Sequence, residues 1–400
     1  MTKVLPYFQA LLLMGLALIT LNLQAQDWEE VATPPFFKHH SNGFTFDGKA
    51  YVFEGSIADN YSRAMWTYDA DADEWNNFAS FPGTPRGFAI GDEWDGKYYY
   101  GFGLTPGGRL NDLWVFDPVD TSFTQLASCP CVPRYHPALA AHEGKIFMGT
   151  GSGASGNLED WWVYDMASDS WSQKANMPGG ARHHPFFFTE GEDIFVGGGH
   201  RESWYKWNMV NETWTSIDGA PSGRVAGTQF QNNGYGYVLA GDDRFHGILP
   251  SDEYFMRYDP VTDEWEKLPP TPNDRWAPSS FIIEDYVYLF GGLSAENGSD
   301  RSMIRFDLSS LDPSSSTQEL GAEALQLFPN PATGGTFTVN FTTTDLADWN
   351  VRFFDVTGRD VTNTFTAERN GEYSTTSKGS FIFAANHVDG RTAQRLVILD

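Results

Sequence analysis

The chain has 400 residues, of which 52 are acidic and 26 are Lys or Arg, so its formal net charge is −26. A surplus of this size repels polyanions and argues against nucleic acid and anionic lipid surfaces as partners. Forty glycines and an aromatic content of 16% are typical of many short strands joined by tight turns. No stretch has a long amphipathic helical period, so we expect an all-β protein with one large and one smaller domain.

The chain opens with an apolar segment that predicts export. Residues 4–26 carry no charge, follow Lys3, and include the run ALLLMGLALITL before Leu23-Gln24-Ala25. A charged start, an apolar core and a small residue at the end are the parts of a signal peptide. We therefore expect residues 1–25 to be cleaved off, with an uncleaved anchor helix as the alternative. No other stretch has the length and apolarity of a transmembrane segment.

After this segment, an apolar strand runs into a glycine six times. Successive glycines are 48, 48, 48, 42 and 51 residues apart, at Gly55, Gly103, Gly151, Gly199, Gly241 and Gly292. A period near 48 that holds several short strands is typical of a β-propeller, in which each repeat forms one blade. The sequence therefore predicts six blades.

Each repeat carries the same marks in the same order. A strand after the glycine ends in an aromatic residue and Asp or Asn, a later strand carries an aromatic residue, and the next repeat opens with a basic residue. In the first repeat these are Tyr68-Asp69, Trp75 and Arg86. With paired glycines such as Gly291-Gly292, the pattern resembles the kelch repeat, although four copies replace the first glycine of the pair. The resemblance implies a six-bladed kelch propeller, which we place at residues 26–308.

The strand count predicts how the ring closes. The Trp-marked outer strand appears five times, and the sixth repeat ends at Phe306-Asp307 without it. The N-terminal stretch DWEEVATPPFFKHH is similar to DEWNNFASFPGTPRGF, with Trp28 in the place of Trp75. We therefore expect the N-terminal strand to pair into the last blade and leave no exposed sheet edge.

The last part of the chain departs from the period. Residues 309–322 form a Ser-rich linker, and residues 323–400 contain Phe328-Pro329-Asn330-Pro331, Gly358-Arg359 and a terminal RLVILD. These motifs resemble the C-terminal sorting domain of the type IX secretion system. The resemblance implies a small β-sandwich that the type IX machinery recognises, and hence a secreted or cell-surface protein. A stabilising or ligand-binding module is the alternative.

The first strand of each propeller repeat lines the central channel, and the loops entering these strands gather at one mouth. Each entering motif has a basic residue, and three have histidine two residues later. We predict a ligand site at Lys38, Arg86, Arg134, Arg182, Arg224, Arg275, His40, His136 and His184. Alternation along a strand puts residues i and i+2 on one side, and guanidinium groups suit carboxylates and phosphates.

Two other interpretations of these residues stay open. Arginine at this position is common in kelch repeats, where it bonds to backbone and to neighbouring blades. The three histidines could also bind a metal, although the sequence places no carboxylate beside them. Cys129 and Cys131, the two cysteines of the chain, are either an incidental loop pair or a strained, easily reduced bridge.

The sequence contains no nucleophile elbow, no zinc-protease motif and no dinucleotide fingerprint followed by a helix, so we assign no catalytic residue, cofactor or metal. The favoured hypothesis is a secreted binding module for a glycan, an acidic peptide or a protein. The kelch resemblance also implies a second hypothesis, an enzyme similar to N-acetylneuraminate epimerases (mutarotases), whose carboxylated sugar a cationic mouth would receive.

Overall fold

The computed structural model describes residues 28–57, 60–294, 298–311, 325–328, 336–341, 349–355, 361–367, 372–387 and 392–399. The predicted signal peptide lies outside the described residues. The chain divides into two compact units, Met1–Asp307 and Leu308–Asp400. Among the described residues, no helix has the length and apolarity needed to cross a membrane.

The first unit contains six four-stranded antiparallel sheets, which are the predicted blades. The first strands contact one another in a closed cycle around the axis: Asn42–Phe46, Ile90–Trp94, Ala138–His142, Pro185–Glu190, Thr228–Asn232 and Ser279–Ile283. The second strands are Lys49–Phe53, Lys97–Gly101, Lys145–Gly149, Asp193–Gly198, Tyr235–Leu239 and Tyr286–Phe290. Because a closed cycle has no free edge at its centre, the fold is a six-bladed propeller.

The third and fourth strands complete each blade outward. The third strands are Ala64–Asp69, Leu113–Asp117, Trp161–Asp165, Trp204–Asn208, Phe255–Asp259 and Met303–Asp307. The fourth strands of blades one to five are Glu74–Ser80, Ser122–Leu126, Ser170–Lys174, Thr213–Ile217 and Glu264–Lys267.

The N-terminal strand closes the ring, as the repeat count predicts. Glu29–Val31 is the fourth strand of the sixth blade and pairs antiparallel with Met303–Asp307. The Trp28 ring lies 5.2 Å from the ring of Phe306, and the matching Trp75 lies 5.2 Å from Tyr68 in the first blade. The same aromatic pair therefore joins the third and fourth strands in both blades, and the predicted closure is confirmed.

The aromatic residue of each aromatic-Asp mark supplies the core between blades. All six are at most 1% exposed: Tyr68, Phe116, Tyr164, Trp207, Tyr258 and Phe306. Burying each of these rings contributes about 1.5–3 kcal/mol. The repeated aromatic positions of the sequence are therefore packing positions.

The repeat glycines sit where backbones from two strands meet. Gly103 has φ +101°, and a Cβ there would lie 2.7 Å from the carbonyl oxygen of Gly87. Gly151 has φ +88°, and its Cβ would lie 2.9 Å from the carbonyl oxygen of Tyr135. Both the left-handed backbone and the close approach require glycine.

Short hairpins follow the second strands on the side where the first strands begin. Four of them pair Ser56–Ile57 with Asn60–Tyr61, Leu104–Thr105 with Gly108–Arg109, Ser152–Gly153 with Gly156–Asn157, and Leu293–Ser294 with Gly298–Ser299. In the fifth blade, Asp242–Asp243 pairs instead with Arg224–Val225. One-turn 3-10 helices occur at Ser251–Glu253, Leu308–Ser310 and Thr362–Thr364.

The described residues of the second unit form two antiparallel sheets. One comprises Leu325–Phe328, Thr336–Phe341, Glu372–Ser374 and Thr366–Ala367, and the other comprises Trp349–Asp355, Gly379–His387 and Thr392–Leu399. Phe353 is fully buried, with its ring 4.0 Å from that of Phe365 and 5.2 Å from that of Tyr373. The two sheets therefore share an aromatic contact.

Candidate functional site

The five arginines that open the repeats point into their own blades. Their side chains are at most 2% exposed. Arg134 donates to both carboxylate oxygens of Asp160 at 2.6 and 2.7 Å, and Arg86 makes the same pair of bonds to Asp112. Arg275 donates to the carbonyl and the hydroxyl of Ser302, and Arg182 donates to the same two groups of Ser203. These donors are already occupied by the protein itself.

All five arginines share an equivalent acceptor, which accounts for the constant distance between each arginine and the repeat glycine that follows it. Each Nη1 donates to the carbonyl sixteen residues later, directly before the repeat glycine: Phe102, Thr150, Gly198, Ala240 and Gly291. The bond ties the start of the first strand to the end of the second. Lys38, in the first blade, is 9% exposed and reaches the carbonyl of Asn60 at 3.4 Å.

In the arginine–aspartate pairs, the charge of the guanidinium keeps the carboxylate ionised in spite of its burial. Burial alone would raise the pKa of Asp160, but the Arg134 guanidinium outweighs it and holds that pKa below its ordinary value. Burial lowers the pKa of Arg182 and Arg224 to about 10, so both remain charged at neutral pH. The predicted arginines therefore form hydrogen bonds inside their blades. Of the predicted site residues, the three histidines are the ones that meet at the axis.

The residue two positions after each basic residue forms a ring around the axis. These six residues, the axial ring, all have φ between 50° and 57°: His40, Phe88, His136, His184, Ala226 and Ala277. This left-handed backbone turns the amide of one blade toward the carbonyl of its neighbour. Ala277 N donates to Ala226 O at 2.7 Å, and His184 N donates to His136 O at 3.2 Å. A non-glycine residue in this conformation costs about 1–2 kcal/mol, which these inter-blade bonds offset.

The three histidines of the axial ring converge. One nitrogen from each of His40, His136 and His184 lies within 4.8 Å of the other two. The ring centroids of His136 and His184 are 3.2 Å apart, and that of His40 is 4.6 Å from His136. Neither ring nitrogen of His136 has a hydrogen-bond partner or solvent contact, and the same holds for Nε2 of His40.

Burial keeps these imidazoles neutral. Burial, and then the repulsion of neighbouring imidazolium charges, places the pKa of His40, His136 and His184 well below 6.5. Burial and the charge of Lys38 lower the pKa of His39 to about 4. Burial and the repulsion of His200 and His246 lower the pKa of His183 to about 4. At neutral pH each ring therefore keeps one unprotonated nitrogen.

Seven of the nine histidines form a continuous string of rings. From His39 through the three axial histidines to His183, His200 and His246, successive ring centroids are 3.2–5.7 Å apart. His246 is exposed in the loop that follows Asp242–Asp243 in the fifth blade. The string thus leads from solvent to the propeller axis.

A cavity of about 460 Å³ occupies the central channel, and the three axial histidines lie at its wall. The lining residues include the phenylalanines Phe44, Phe188, Phe230 and Phe281, and of these all but Phe230 are at most 5% exposed. Polar residues also line the cavity: Asn42, Thr228, Gln229, Gln231 and Ser280. Among the described lining residues there is no Lys and no Arg. The cavity suits a polar, uncharged molecule better than an anion.

Asp92 is the unusual residue of this wall. Four of the other five blades carry phenylalanine at its repeat position, six residues after the basic residue. Burial raises the pKa of Asp92 to about 7, although the backbone N–H groups of Ala141 and Glu93 donate to its carboxylate. Near neutral pH this carboxyl group is therefore partly protonated and can donate a hydrogen bond.

Four histidines of the string escaped the sequence analysis. His39 and His183 directly precede axial histidines, and His200 directly follows the repeat glycine Gly199. His246 follows Gly241 by five residues. The signal was present, because the residues after each repeat glycine return to the face where the first strands begin.

Two comparisons with known proteins agree with this architecture. The family model of the secretion system C-terminal sorting domain matches residues 326–399. The "Kelch-like protein terF" of Aspergillus terreus is 30% identical over 127 residues, which cover 27% of this chain and 26% of that relative. The match thus spans about a quarter of the length of this curated relative. On the combined evidence of blades, repeats and sorting domain, the chain is a kelch-type six-bladed β-propeller with a C-terminal domain that marks it for export by type IX secretion, to the cell surface or beyond.

Proposed function

We propose that this exported propeller is a binding module that takes a small, neutral, polar ligand into its central channel, with a neutral saccharide as the favoured class. The observation that carries the proposal is the lining of the cavity of about 460 Å³, which includes phenylalanine, amide and hydroxyl residues, while no Lys or Arg is among the described lining residues. Cavities of about 300–1,000 Å³ are the ordinary size of small-molecule sites. Aromatic faces and side-chain amides are the groups that bind the apolar faces and hydroxyls of sugars.

The sequence hypothesis of an anionic ligand loses its support from the arginines. A carboxylated sugar or an acidic peptide needs free guanidinium or ammonium groups, and the repeat arginines donate to acceptors within their own blades. The cavity wall instead contributes Asp92 and Glu93, which repel an anion when ionised. For this reason we favour a neutral ligand. The alternative of an enzyme similar to N-acetylneuraminate epimerases is an outcome of the test.

Gln229 offers the sharpest test of the channel. It lines the cavity on the first strand of the fifth blade, whereas Gln125 lies exposed on a fourth strand. Calorimetric titration should include neutral hexoses, N-acetylhexosamines, N-acetylneuraminate and an acidic peptide. We expect a neutral saccharide to bind, Gln229→Ala to weaken its Kd about 10-fold, as for one lost hydrogen bond, and Gln125→Ala to leave it unchanged.

Other outcomes would overturn the proposal. Binding of the acidic peptide alone would restore the cationic-mouth interpretation. Accelerated anomer exchange of N-acetylneuraminate, followed by proton NMR, would favour the epimerase-like enzyme. An effect of Gln125→Ala as large as that of Gln229→Ala would place the ligand outside the channel. Each titration is run with and without a metal chelator, so that sugar binding is scored separately from any metal effect.

A further inference from the structure

The axial histidines form a convergent set of nitrogen donors on a rigid frame. His40, His136 and His184 come from blades one, three and four, and one nitrogen from each lies within 4.8 Å of the others. Their backbones belong to the hydrogen-bonded axial ring, where His40 N donates to Ala277 O at 3.0 Å and His136 N to Phe88 O at 3.3 Å. A donor set on a fixed frame binds an ion without a large ordering cost.

Two of the three axial histidines have ring nitrogens without a partner inside the protein. His40 Nε2 and both nitrogens of His136 are buried and have no hydrogen-bond partner. A buried polar atom without a partner costs about 1–3 kcal/mol, so three such atoms at one point of the axis need an explanation. An ion among the three rings would satisfy two of them, His40 Nε2 and one nitrogen of His136.

A hydrogen bond between neighbouring histidines offers one ring the tautomer that coordination needs. His39 Nδ1 and His40 Nδ1 are 2.7 Å apart, so one of the two carries a proton and the other accepts it. With the proton on His40 Nδ1, its Nε2 presents a lone pair. Metal-binding histidines almost always donate their second ring N–H to a neighbouring acceptor in this way.

The donor type selects the metal. Three imidazoles and no carboxylate among the described residues of the cluster suit zinc, copper, nickel or iron, whereas calcium and magnesium require oxygen ligands. Nitrogens bound to one tetrahedral zinc ion stand about 3.4 Å apart, because each bond is about 2.1 Å long. The nitrogens lie within 4.8 Å of one another on rings stacked at interplanar angles of 14–22°, so coordination requires the side chains to rotate toward a common point.

The surroundings leave one side of such an ion open. The three histidines lie at the wall of the channel cavity, so a three-coordinate ion faces that space. Three protein ligands with a fourth position open to water or ligand is the arrangement of reactive zinc sites. On the other side, His183, His200 and His246 provide further imidazoles between the axis and solvent.

We propose that His40, His136 and His184 bind one divalent transition-metal ion, with zinc as the reference ion, at the axis of the propeller and with an open coordination position toward the channel. The site stands independently of the saccharide proposed above. The outer histidines of the string serve as the entry path.

The test is metal titration of the purified full chain, stripped with chelator beforehand. Zinc binding is measured by calorimetry, and cobalt(II) and copper(II) replace zinc for absorption and electron paramagnetic resonance spectra. We expect one zinc ion per chain, a cobalt spectrum of four-coordinate type, and nitrogen hyperfine structure from the bound copper. Zinc should also raise the melting temperature, because it binds the folded state.

Substitutions at the axial ring have natural precedents in the same chain. Ala226 and Ala277 hold the same left-handed position in blades five and six, and Phe88 holds it in blade two. His136→Ala and His184→Ala should therefore fold and should weaken zinc binding about 100-fold or more, since losing an outer-shell partner already costs about 10–100-fold. His39→Ala should cost about 10-fold. His136→Phe is a second variant at the same position, and it introduces the side chain that blade two carries there.

The matched control is His142→Ala, which removes a histidine of the same blade that bonds to the Gly191 carbonyl outside the string. Its zinc affinity should equal that of the wild type. The proposal is overturned by absence of stoichiometric zinc binding, or by binding that survives His136→Ala and His184→Ala. It is equally overturned if only His200→Ala and His246→Ala abolish binding, because the site would then lie at the rim.

Discussion

The arginine position and the axial ring lie two residues apart in every repeat, yet they differ in almost every physical respect. The arginines are uniform, buried and hydrogen-bonded within their blades. The axial ring varies from blade to blade, and its His136 has both ring nitrogens unpaired. In this propeller the repeated arginines therefore hold the blades together internally, and the variable positions two residues later are where we propose the metal site.

The strongest test of this contrast is Arg134→Ala. The substitution leaves the partly buried Asp160 without its guanidinium and frees the Thr150 carbonyl. Breaking a buried ion pair costs about 3–5 kcal/mol, so we expect a loss of this size in the free energy of unfolding, measured by denaturant titration. Unchanged stability together with lost ligand binding would return the arginines to the ligand site.

A second test concerns the closure of the ring. Trp28→Ala removes the ring contacts to Phe255 and Phe306 and the Nε1 hydrogen bond to the Pro269 carbonyl. Trp28 is only partly buried, so the loss should be about 3 kcal/mol, at the lower end for an aromatic truncation. A thermal melt that equals the wild type would contradict closure by the N-terminal strand.

The channel wall provides a pH-dependent test through Asp92. Its pKa is raised to about 7 in the folded state from an ordinary 3.8, so the folded state binds the proton more tightly. The stability contributed by the protonated form is lost as pH rises from about 4 to 7. Asp92→Asn removes this loss of stability at high pH, because asparagine does not ionise. One pKa unit equals about 1.4 kcal/mol, so we expect the free energy of unfolding of the variant to exceed that of the wild type by about 1–3 kcal/mol at pH 8. At pH 4 the two proteins should melt alike; a difference that is equal at both pH values would contradict the assignment.

The axial ring should show the opposite pH dependence. The pKa of His136 lies well below 6.5 in the folded state, so the unfolded state takes up the proton first as pH falls through 6.5. His136→Phe therefore gains stability relative to wild type between pH 7.5 and 5.5, by about 1 kcal/mol at one pH unit below the unfolded pKa. Chelator-treated protein is used for these melts. A difference that stays constant over this range would show that the ring is not desolvated.

Sequence reasoning placed the basic residues and the histidines at equivalent positions of the repeat, but it did not give the direction of every side chain. Regular alternation predicts that Arg134 and His136 share one side of a strand. His136 has φ 50°, so the backbone between them is not extended and the two side chains separate, one into the blade and one to the axis. Neither composition nor spacing shows this turn, because its backbone conformation depends on the bonds between neighbouring blades.

The number of blades, the closing strand at Trp28 and the sorting domain could all be read from the amino-acid sequence, because each follows from a repeat register or a motif in order along the chain. Which groups meet at the axis became visible only in the folded ring. His40 and His184 are 144 residues apart in the chain, and their ring centroids come within 4.8 Å because six blades close into a circle. Local patterns fix strands and turns, but convergence on an axis is a property of the closed ring.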